Sequence, residues 1–263
     1  MSGVRGAKLP ENDRVTVSTS KAPERIAGMF DAIALRYDRL NHLLSGGMDR
    51  RWRRRAIREL RLTGRERLVD VCTGTGDLAI EGATHGGGAA SAVLGIDFAG
   101  EMLRIGLDKV RRAGLAGRIS LARADAMHLP VADQSFDAAT IAFGIRNVAD
   151  PLAGCRELHR VLVPGGRAAI LEFGMPTTPV VAGVYAWYFR AVLPKVGRMI
   201  SRHADAYDYL PASVSAFPSG EGFVTILRQA GFSSVRYVPL MLGAVYLYVA
   251  ERPPGLKPRP THM

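Results

Sequence analysis

Apolar residues near the start of the chain recur with the spacing of a helix. They stand three or four positions apart from Pro23 to Tyr37, which predicts a helix over this stretch. A second helix is predicted from about Met48 to Leu60. Residues 1–20 are polar and carry scattered Ser and Thr, so we expect a disordered tail there. Residues 21–62 are therefore predicted to form a helical cap on the domain that follows.

Beyond residue 62 the pattern changes to short apolar runs that alternate with amphipathic segments. This alternation is typical of an α/β fold with a doubly wound parallel sheet and helices on both faces. Pro164, Gly165 and Gly166 are predicted to form a tight turn into the fifth strand. The predicted strands are Arg67–Cys72, Ala92–Ile96, Ile119–Arg123, Phe136–Ala142, Arg167–Phe173 and, near the end, Ser233–Pro239 and Gly243–Ala250. The predicted helices are one that begins at Asp77, then Gly100–Arg112, Asp150–Val161 and Gly220–Ala230.

Residues 175–220 interrupt this alternation and are rich in aromatic side chains. We interpret them as an insert on the substrate side of a single domain that spans residues 21–252. Residues 253–263 contain four prolines and are expected to be a flexible tail. The aromatic residues of the insert are Tyr185, Trp187, Tyr188, Phe189, Tyr207 and Tyr209.

The composition fits one domain with a sizeable core, since 48% of the 263 residues are hydrophobic. No run of 18 apolar residues appears, and the N-terminus lacks the apolar segment of a secretion signal, so a cytoplasmic protein is expected. Cys72 and Cys155 lie far apart and have no His or Cys neighbours at metal-ligand spacing. We therefore expect buried reduced thiols and no metal site.

The net charge of the chain is +11, from 35 Lys and Arg against 24 Asp and Glu. Much of the excess lies in seven arginines between residues 50 and 61. This cluster has two interpretations: a solvated helix face, or contact with an anionic membrane surface, where Trp52 would be a typical interfacial residue. Nucleic-acid binding is disfavoured, because no aromatic platform for base stacking is interleaved with the Lys and Arg residues.

A glycine-containing loop joins the first predicted strand to the following helix. Gly74 and Gly76, within the segment from Asp70 to Ala79, allow backbone angles and a close ligand approach that a Cβ would block. The start of the helix also presents free N–H groups and the positive end of the helix dipole. A tight turn without any ligand is the alternative for such a glycine pair.

Two aspartates end the next two predicted strands. Asp97 follows the loop by roughly 20 residues, where a carboxylate can accept both hydrogen bonds of a ribose diol. Asp125 ends the third strand at the same edge of the sheet, where an adenine amino group could lie. Each aspartate could instead cap a helix. Three successive strand ends that line one crevice nevertheless favour a nucleoside ligand.

A nicotinamide dinucleotide is the rival ligand, because Gly74, Gly76 and Ala79 also fit its fingerprint. Asp77 disfavours it, since a carboxylate at the start of the helix would repel a pyrophosphate but attract the ammonium group of a methionine moiety. The Pro-Gly-Gly sequence at residues 164–166, before a fifth strand, is also typical of methyltransferases.

Several longer segments are specific to one family. They include MFDAIALRYDRLNHLLSGGMDRRWR (29–53), LPVADQSFDAATIAFGIRNVAD (129–150) and YDYLPASVSAFP (207–218), besides the loop DVCTGTGDLA (70–79). With these segments the chain resembles the ubiquinone/menaquinone biosynthesis C-methyltransferases over almost all of residues 23–252. The resemblance implies a class I S-adenosylmethionine-dependent methyltransferase with a Rossmann-like fold and a seven-stranded, mostly parallel sheet. It also implies the C-methylation of demethylmenaquinol, with the ubiquinone step or another prenylated phenol or small lipid as alternatives.

The resemblance places contacts to S-adenosylmethionine on particular residues. Thr75 in the loop, Asp97 at the ribose, and Asp125 with Ala126 at the adenine are implied in this way. Some family members carry Ser where this chain has Ala142, so a hydroxyl contact at that position is absent here. The complete set of expected cofactor residues is Asp70, Gly74, Thr75, Gly76, Asp77, Asp97, Asp125, Ala126 and Ala142.

The fourth predicted strand leads into residues 143–147, beside the expected methyl group. A quinol ring carbon becomes nucleophilic when the neighbouring hydroxyl loses its proton, so the enzyme mainly supplies alignment and stabilises phenolate character. We predict that Arg146 stabilises this oxyanion and that Asn147 orients the ring hydroxyl, with a surface or capping role for Arg146 as the alternative.

Polar and aromatic residues outside the sheet are predicted to form the rest of the quinol pocket. The residues expected to line it are Asp31, Tyr37, Tyr207 and Tyr209. The apolar stretch from Tyr185 to Leu193 would suit a prenyl tail, because an apolar groove buries such a chain at roughly 0.8 kcal/mol per CH₂. A homodimer and peripheral contact with the inner face of the cell membrane are left open by the sequence.

Overall fold

The computed structural model describes residues 23–85, 88–176, 178–187 and 205–255. The predicted N-terminal tail, the stretch 188–204 of the aromatic insert, and most of the predicted C-terminal tail lie outside the described residues. No described helix is long and apolar enough to cross a bilayer.

Eight α-helices are defined within these ranges. The two at the start, α1 (Pro23–Leu44) and α2 (Asp49–Leu60), confirm the predicted pair, although α1 continues seven residues beyond the predicted end at Tyr37. The helices that follow are α3 (Asp77–Thr84), α4 (Gly100–Arg112), α5 (Pro151–Val161), α6 (Pro179–Trp187), α7 (Asp205–Ala216) and α8 (Glu221–Gln229).

Seven strands form one sheet in the order β3-β2-β1-β4-β5-β7-β6. The first five are parallel to one another, and β7 is antiparallel to both β5 and β6. The strand order reverses between β1 and β4, and in such sheets a crevice opens beyond the carboxyl ends of the strands at that point. The predicted seven-stranded, mostly parallel sheet is confirmed. The strands are β1 (Arg67–Val71), β2 (Ala92–Asp97), β3 (Ile119–Arg123), β4 (Phe136–Ala142), β5 (Leu162–Phe173), β6 (Ser234–Leu240) and β7 (Val245–Glu251).

The prediction of a tight turn ahead of β5 is wrong, because the strand already begins at Leu162. Leu162 pairs with Phe136, and the register then shifts before regular pairing resumes at Arg167. Gly165 takes up this irregularity with a φ of 80°. Its N–H donates to Arg252 O (3.1 Å), so Pro-Gly-Gly lies within an irregular strand rather than in a turn between elements.

Helix α2 packs on one face of the sheet through an apolar stripe. Trp52, Ala56, Ile57 and Leu60 are all buried, at the spacing of one helix face. The ring of Trp52 is only 5% exposed and packs edge-on against Phe143, with ring centroids 6.1 Å apart. The interpretation of Trp52 as an interfacial membrane residue is therefore wrong, because its side chain completes the core beneath the helix.

Candidate functional site

A cleft opens at the carboxyl edge of the sheet, beside the point where the strand order reverses. The ends of β1 to β4 form its floor and α1 covers it from above. Apolar side chains dominate, with few polar groups, which is usual for a small-molecule site. The lining residues are Ile26, Phe30, Tyr37, Val71, Cys72, Gly74, Ile96, Asp97, Phe98, Met102, Ala124, Asp125, Ala126, Met127, Ala142, Phe143, Gly144, Asn147, Val148 and Ala149.

The predicted glycine loop turns sharply at the bottom of the cleft. Cys72 follows the last residue of β1 with a φ of 56°, which explains why the strand stops one residue before the predicted end. Gly74 also has a positive φ (56°), and a Cβ built on it would meet nothing within 4 Å, so the backbone faces open space. Gly76, at a φ of 81°, precedes α3 directly. The loop thus leaves room for a ligand to approach its backbone closely.

Asp97 ends β2 with its carboxylate beside this loop. One oxygen accepts the N–H of Gly74 (2.7 Å) and the other accepts the N–H of Ala99 (2.9 Å). Burial raises the pKa of this carboxyl above its usual value, although both hydrogen bonds act in the opposite direction. Because each oxygen has a second lone pair, the fixed carboxylate can still accept the two hydroxyl hydrogens of a ribose.

Asp125 lies across the cleft, just beyond the end of β3. One of its oxygens accepts the N–H of Met127 (2.9 Å), which fixes the side chain, while His128 Nδ1 lies 3.9 Å from the other oxygen. Phe98 and Met102 provide apolar surface on the same cleft. A flat heterocycle with an exocyclic amino group therefore fits this end, with Asp125 as the acceptor.

Asp70 lies in the middle of β1, below the loop. Its two oxygens accept the hydroxyl groups of Thr73 and Thr140, each at 2.6 Å, and the side chain is buried. Burial raises the pKa of Asp70 to about 6, although the two threonine hydroxyls oppose the shift. Asp70 faces a smaller cavity next to the main cleft. Through these two hydrogen bonds it braces the loop from below.

An ionic cluster of residues from α1, α2, α3 and α4 surrounds Thr75. The hydroxyl of Thr75 donates to Asp38 on α1 (2.6 Å) and accepts from Lys109 on α4 (3.0 Å). Lys109 also bonds to Asp38 (2.8 Å) and to one oxygen of Asp77, whose other oxygen pairs with Arg53 (3.2 Å). We refer to Asp38, Thr75, Asp77, Lys109 and Arg53 as the Lys109 cluster. The carboxylate of Asp77 is thus already paired with two cations, which weakens the expected attraction for a methionine ammonium.

Arg146 forms a buried ion pair at the end of β4. Its Nη1 lies 2.7 Å from Glu172 Oε1 and also bonds to the carbonyl of Phe143, and the guanidinium stacks 5.3 Å from the ring centre of Phe173. Arg146 is 4% exposed and is not among the cleft-lining residues. Its charge is therefore balanced inside the protein, and any contact with a substrate oxygen must use another atom of the side chain.

Three buried polar atoms near this turn have no hydrogen-bond partner within the described residues. They are Nε of Arg146, Oδ1 of Asn147 and the hydroxyl oxygen of Tyr209. Asn147 lines the cleft, whereas Tyr209 lies on α7 beside the 145–147 turn and is 3% exposed. Burial raises the pKa of Tyr209, and the charge of Arg146 opposes that shift. Buried polar atoms are nearly always paired, so these three atoms are available to bond with the polar groups of a ligand or with water.

The remaining predicted pocket residues fall in different places. Tyr37 on α1 lines the cleft and packs edge-on against Phe30, with ring centroids 5.9 Å apart. Asp31 instead accepts the N–H of Glu101 at the start of α4 (2.8 Å) and is not among the cleft-lining residues, so it fixes α1 to α4. Tyr207 belongs to α7, but its side chain lies outside the described residues.

Sequence reasoning missed Glu172, Asp38 and Lys109. A signal for Glu172 was present, because it is the one charged residue in the apolar run Ala168–Phe173 and stands at a strand end. Asp38 and Lys109 gave no local signal. They stand 71 positions apart and meet only because α1 crosses α4.

The model of the ubiE/COQ5 methyltransferase family matches residues 18–252. The chain belongs to this family. Its methyl donor is S-adenosylmethionine, and the loop, Asp97 and Asp125 provide a cradle that fits the adenosyl group of this cofactor.

Two curated relatives show how closely the chain follows the family. It is 49% identical over 233 residues to the ubiquinone/menaquinone biosynthesis C-methyltransferase UbiE of Geobacter sp. (strain M21). This match covers 89% of this chain and 98% of the relative. It is 41% identical over 232 residues to the demethylmenaquinone methyltransferase of Bacteroides fragilis (strain ATCC 25285). This match covers 88% of this chain and 94% of the relative.

Solved structures resemble the chain in fold. The [4+2]-cyclase SpnF superposes with a TM-score of 0.64 at 20% identity, covering 92% of this chain and 100% of the cyclase. A second similar structure is a SAM-dependent methyltransferase of Thermotoga maritima, described as a possible histamine N-methyltransferase. It superposes with a TM-score of 0.59 at 18% identity and covers 86% of this chain and 99% of its own. The fold is thus the class I Rossmann-like fold that the sequence predicted.

Proposed function

We propose that this protein transfers a methyl group from S-adenosylmethionine to a ring carbon of demethylmenaquinol and so forms menaquinol. The observation that carries the proposal is the position of Asn147, whose side chain lines the same cleft as Asp97 and Asp125. Its buried amide oxygen has no hydrogen-bond partner within the described residues. The printed names of the relatives, UbiE and demethylmenaquinone methyltransferase, support the same substrate class. The proposal includes the corresponding ring methylation in ubiquinone synthesis.

At the cofactor end, Asp97 would hold the ribose and Asp125 the adenine amino group. Both carboxylates are oriented by backbone N–H groups, so little reorganisation is needed when the nucleoside binds. Gly74 lets the methionine portion lie close to the loop, towards Ala142 and Phe143. When bound there, the cofactor supplies an activated sulfonium methyl group.

At the substrate end, the turn 145–147 would hold the oxygens of the quinol. Asn147 Oδ1 can accept a ring hydroxyl hydrogen, and the Nε–H of Arg146 can donate to an oxygen that gains phenolate character. The hydroxyl of Tyr209 is placed to join the same network. Glu172 is a positioning residue, because it holds both the backbone and the side chain of Arg146.

The roof of the cleft would keep water from the reacting carbon. Phe30 and Tyr37 on α1, with Phe143 on the floor, offer aromatic surface for a naphthoquinol ring. Alignment of a ring carbon behind the methyl group is the main requirement of the reaction, since the methyl group is already activated. The reaction would form a C–C bond as the S–CH₃ bond breaks, S-adenosylhomocysteine would leave, and the proton of the ring carbon would pass to solvent.

The proposal also includes a membrane partner. A prenylated quinol resides in the bilayer, so the protein would act as a peripheral protein at the cytoplasmic face of the membrane. The sequence left a homodimer open, and light scattering on the purified protein decides it by mass. A mass of 28.4 kDa would indicate a monomer and twice that value a dimer.

The test is to incubate the purified protein with labelled S-adenosylmethionine and chemically reduced demethylmenaquinone, and to follow label into the organic phase. Transfer to the quinol is expected. Asn147→Ala should lower kcat by about 100-fold while S-adenosylhomocysteine binds as before, because it removes a substrate contact only. A small unprenylated phenol is the parallel acceptor. Label on the phenol but none on the quinol would reject the proposal.

A further inference from the structure

Large apolar side chains are exposed at the carboxyl edge of the sheet, the edge at which the cleft also opens. Val180 is 77% exposed and Leu242 is 74% exposed, while Met175 and Met241 are 37% and 46% exposed. Met175 follows β5 and Val180 begins α6, whereas Met241 and Leu242 form the turn after β6. We call these four residues the apolar rim.

The segments that carry the rim touch one another. The N–H of Gly174 donates to the carbonyl of Ala244 (3.1 Å), and a Cβ on Gly243 would lie 3.3 Å from Cα of Pro176. The hydroxyl of Tyr185 on α6 reaches the same carbonyl of Ala244 (3.5 Å). The rim is therefore one surface feature, because the loop after β5, the turn after β6 and α6 meet at a single point.

The turn that presents Met241 and Leu242 is strained. Their φ angles are 45° and 57°, in the left-handed region that residues other than glycine rarely occupy. Strain of this kind is found where a function requires it. Here the strained turn carries two exposed apolar side chains, Met241 and Leu242.

A basic surface lies on the exposed side of α2. Asp49 and Glu59, the two acidic residues of this helix, are paired with Arg53 and Arg236. Arg54 is 3.6 Å from Glu81. Five arginines of this helix and its C-terminal cap remain without a carboxylate partner among the described residues; four of them are exposed and Arg55 is half-buried. They are Arg50, Arg51, Arg55, Arg58 and Arg61.

The start of α2 and the apolar rim lie at the same edge of the sheet. Asp49 and Arg53 reach the Lys109 cluster at the start of α3, which marks the carboxyl edge. Leu240, the last residue of β6, is buried in the same core cluster as Trp52. Arg50 and Arg51, at the start of α2, therefore lie at the same edge of the sheet as the turn after β6.

We infer that the apolar rim and the arginines at the start of α2 form one docking surface for an anionic lipid bilayer. Basic residues beside exposed apolar side chains suit such a membrane, where cations meet the headgroups and apolar groups enter the acyl region. A nucleic acid would satisfy the arginines but would leave Val180 and Leu242 in water. The bilayer is the occupant that matches both parts.

This surface directs the mouth of the cleft towards the lipid. Phe30 and Tyr37 of the roof lie at the same edge of the sheet as the rim, so a prenylated ring could enter from the bilayer without crossing water. The inference rests on the proposed quinol substrate for its purpose. Vesicle binding itself is measured without any substrate.

The experiment is flotation of the full-length protein with vesicles of phosphatidylcholine alone or with added phosphatidylglycerol. Binding is expected with the anionic vesicles and should weaken as salt is raised. The double variant R50Q/R51Q and the single variant Leu242→Asp should each bind roughly tenfold more weakly. The matched controls R111Q/R112Q and Leu107→Asp, all exposed on α4, should bind as the wild type does.

Each variant is also titrated with S-adenosylhomocysteine, and unchanged affinity shows that it is folded. The inference would be overturned if the wild-type protein did not bind anionic vesicles. It would also be overturned if Leu242→Asp bound them as tightly as the wild type. Duplex DNA bound at physiological salt as tightly as vesicles, with no effect of Leu242→Asp, would replace the bilayer by a nucleic acid. Vesicle binding without methyl transfer to the quinol would reject the substrate and leave the docking surface standing.

Discussion

The carboxylate of Glu172 holds Arg146 at two points. Oε1 accepts from the guanidinium Nη1 at 2.7 Å, and Oε2 accepts the backbone N–H of the same residue at 3.2 Å. Glu172 is fully buried and also accepts the N–H of Phe173 (2.9 Å). The turn that carries Asn147 is therefore positioned by a charge on the neighbouring strand.

Glu172→Gln should destabilise the fold, because Arg146 would keep its charge without a buried counter-ion. We expect the free energy of unfolding to fall by about 3 kcal/mol, measured by urea denaturation. Glu251→Gln is the matched control, since Glu251 pairs with Arg167 in partial contact with water and should cost less than about 1 kcal/mol. Equal losses in the two variants would contradict the positioning role.

Asp97→Asn should separate ligand binding from stability. Burial raises the pKa of Asp97, so its charge is costly in the folded protein, and the neutral amide should leave the unfolding free energy almost unchanged. S-adenosylhomocysteine should bind about 100-fold more weakly in calorimetry, because two charge-assisted hydrogen bonds are lost. Asp108→Asn, on the exposed side of α4, is the control and should bind normally. Normal binding by Asp97→Asn would remove Asp97 from the site.

Asp70 should make stability depend on pH between about 4 and 6. Burial raises its pKa in the folded state from the usual 3.8 to about 6, so the folded state binds the proton more tightly than the unfolded state. Its contribution to stability is complete below that window and is lost as pH rises through it. Relative to Asp70→Asn, the wild type should lose roughly 2–3 kcal/mol of unfolding free energy between pH 4 and pH 7.

The control for Asp70 is Glu66, which should show the opposite slope. Burial opposes the shift, but hydrogen bonds from Thr63 and neighbouring N–H groups lower the pKa of Glu66 to about 2. Its contribution is present above pH 4.5 and is lost on acidification. In urea titrations from pH 2 to pH 7, Asp70→Asn should diverge from the wild type between about pH 4 and 6, and Glu66→Gln should diverge in the opposite direction between about pH 2 and 4.5. Parallel curves would show that Asp70 is ionised normally.

Lys109→Met should loosen α1 from the rest of the protein. Lys109 links Asp38 on α1 to Thr75 in the loop, and a partly exposed pair of this kind contributes about 1 kcal/mol. We expect S-adenosylhomocysteine to dissociate about fivefold faster in a stopped-flow chase, with a weaker dependence on salt. Arg111→Met, on the exposed side of α4, should leave the rate unchanged. If both variants release the ligand equally fast, α1 does not retain it.

Part of the candidate site followed directly from the sequence. In a parallel sheet the carboxyl ends of successive strands meet at one edge, so Asp97 and Asp125 could be placed in one cleft once β2 and β3 were recognised. Arg146 was placed near the reacting groups for the same reason. Its pairing with Glu172 depends on the contact between β4 and β5, which local patterns do not contain.

The sequence by itself determined the seven strands, most helix limits and the position of the glycine loop, because hydrophobic period and turn residues act over short distances. Only the tertiary structure decided that Trp52 packs inward against Phe143, that Asp77 is paired with Lys109, and that the exposed rim lies beside the start of α2. These relations join residues far apart in the chain. They arise from the packing of α1 and α2 on the sheet, and packing depends on the shape of the whole core rather than on any one segment.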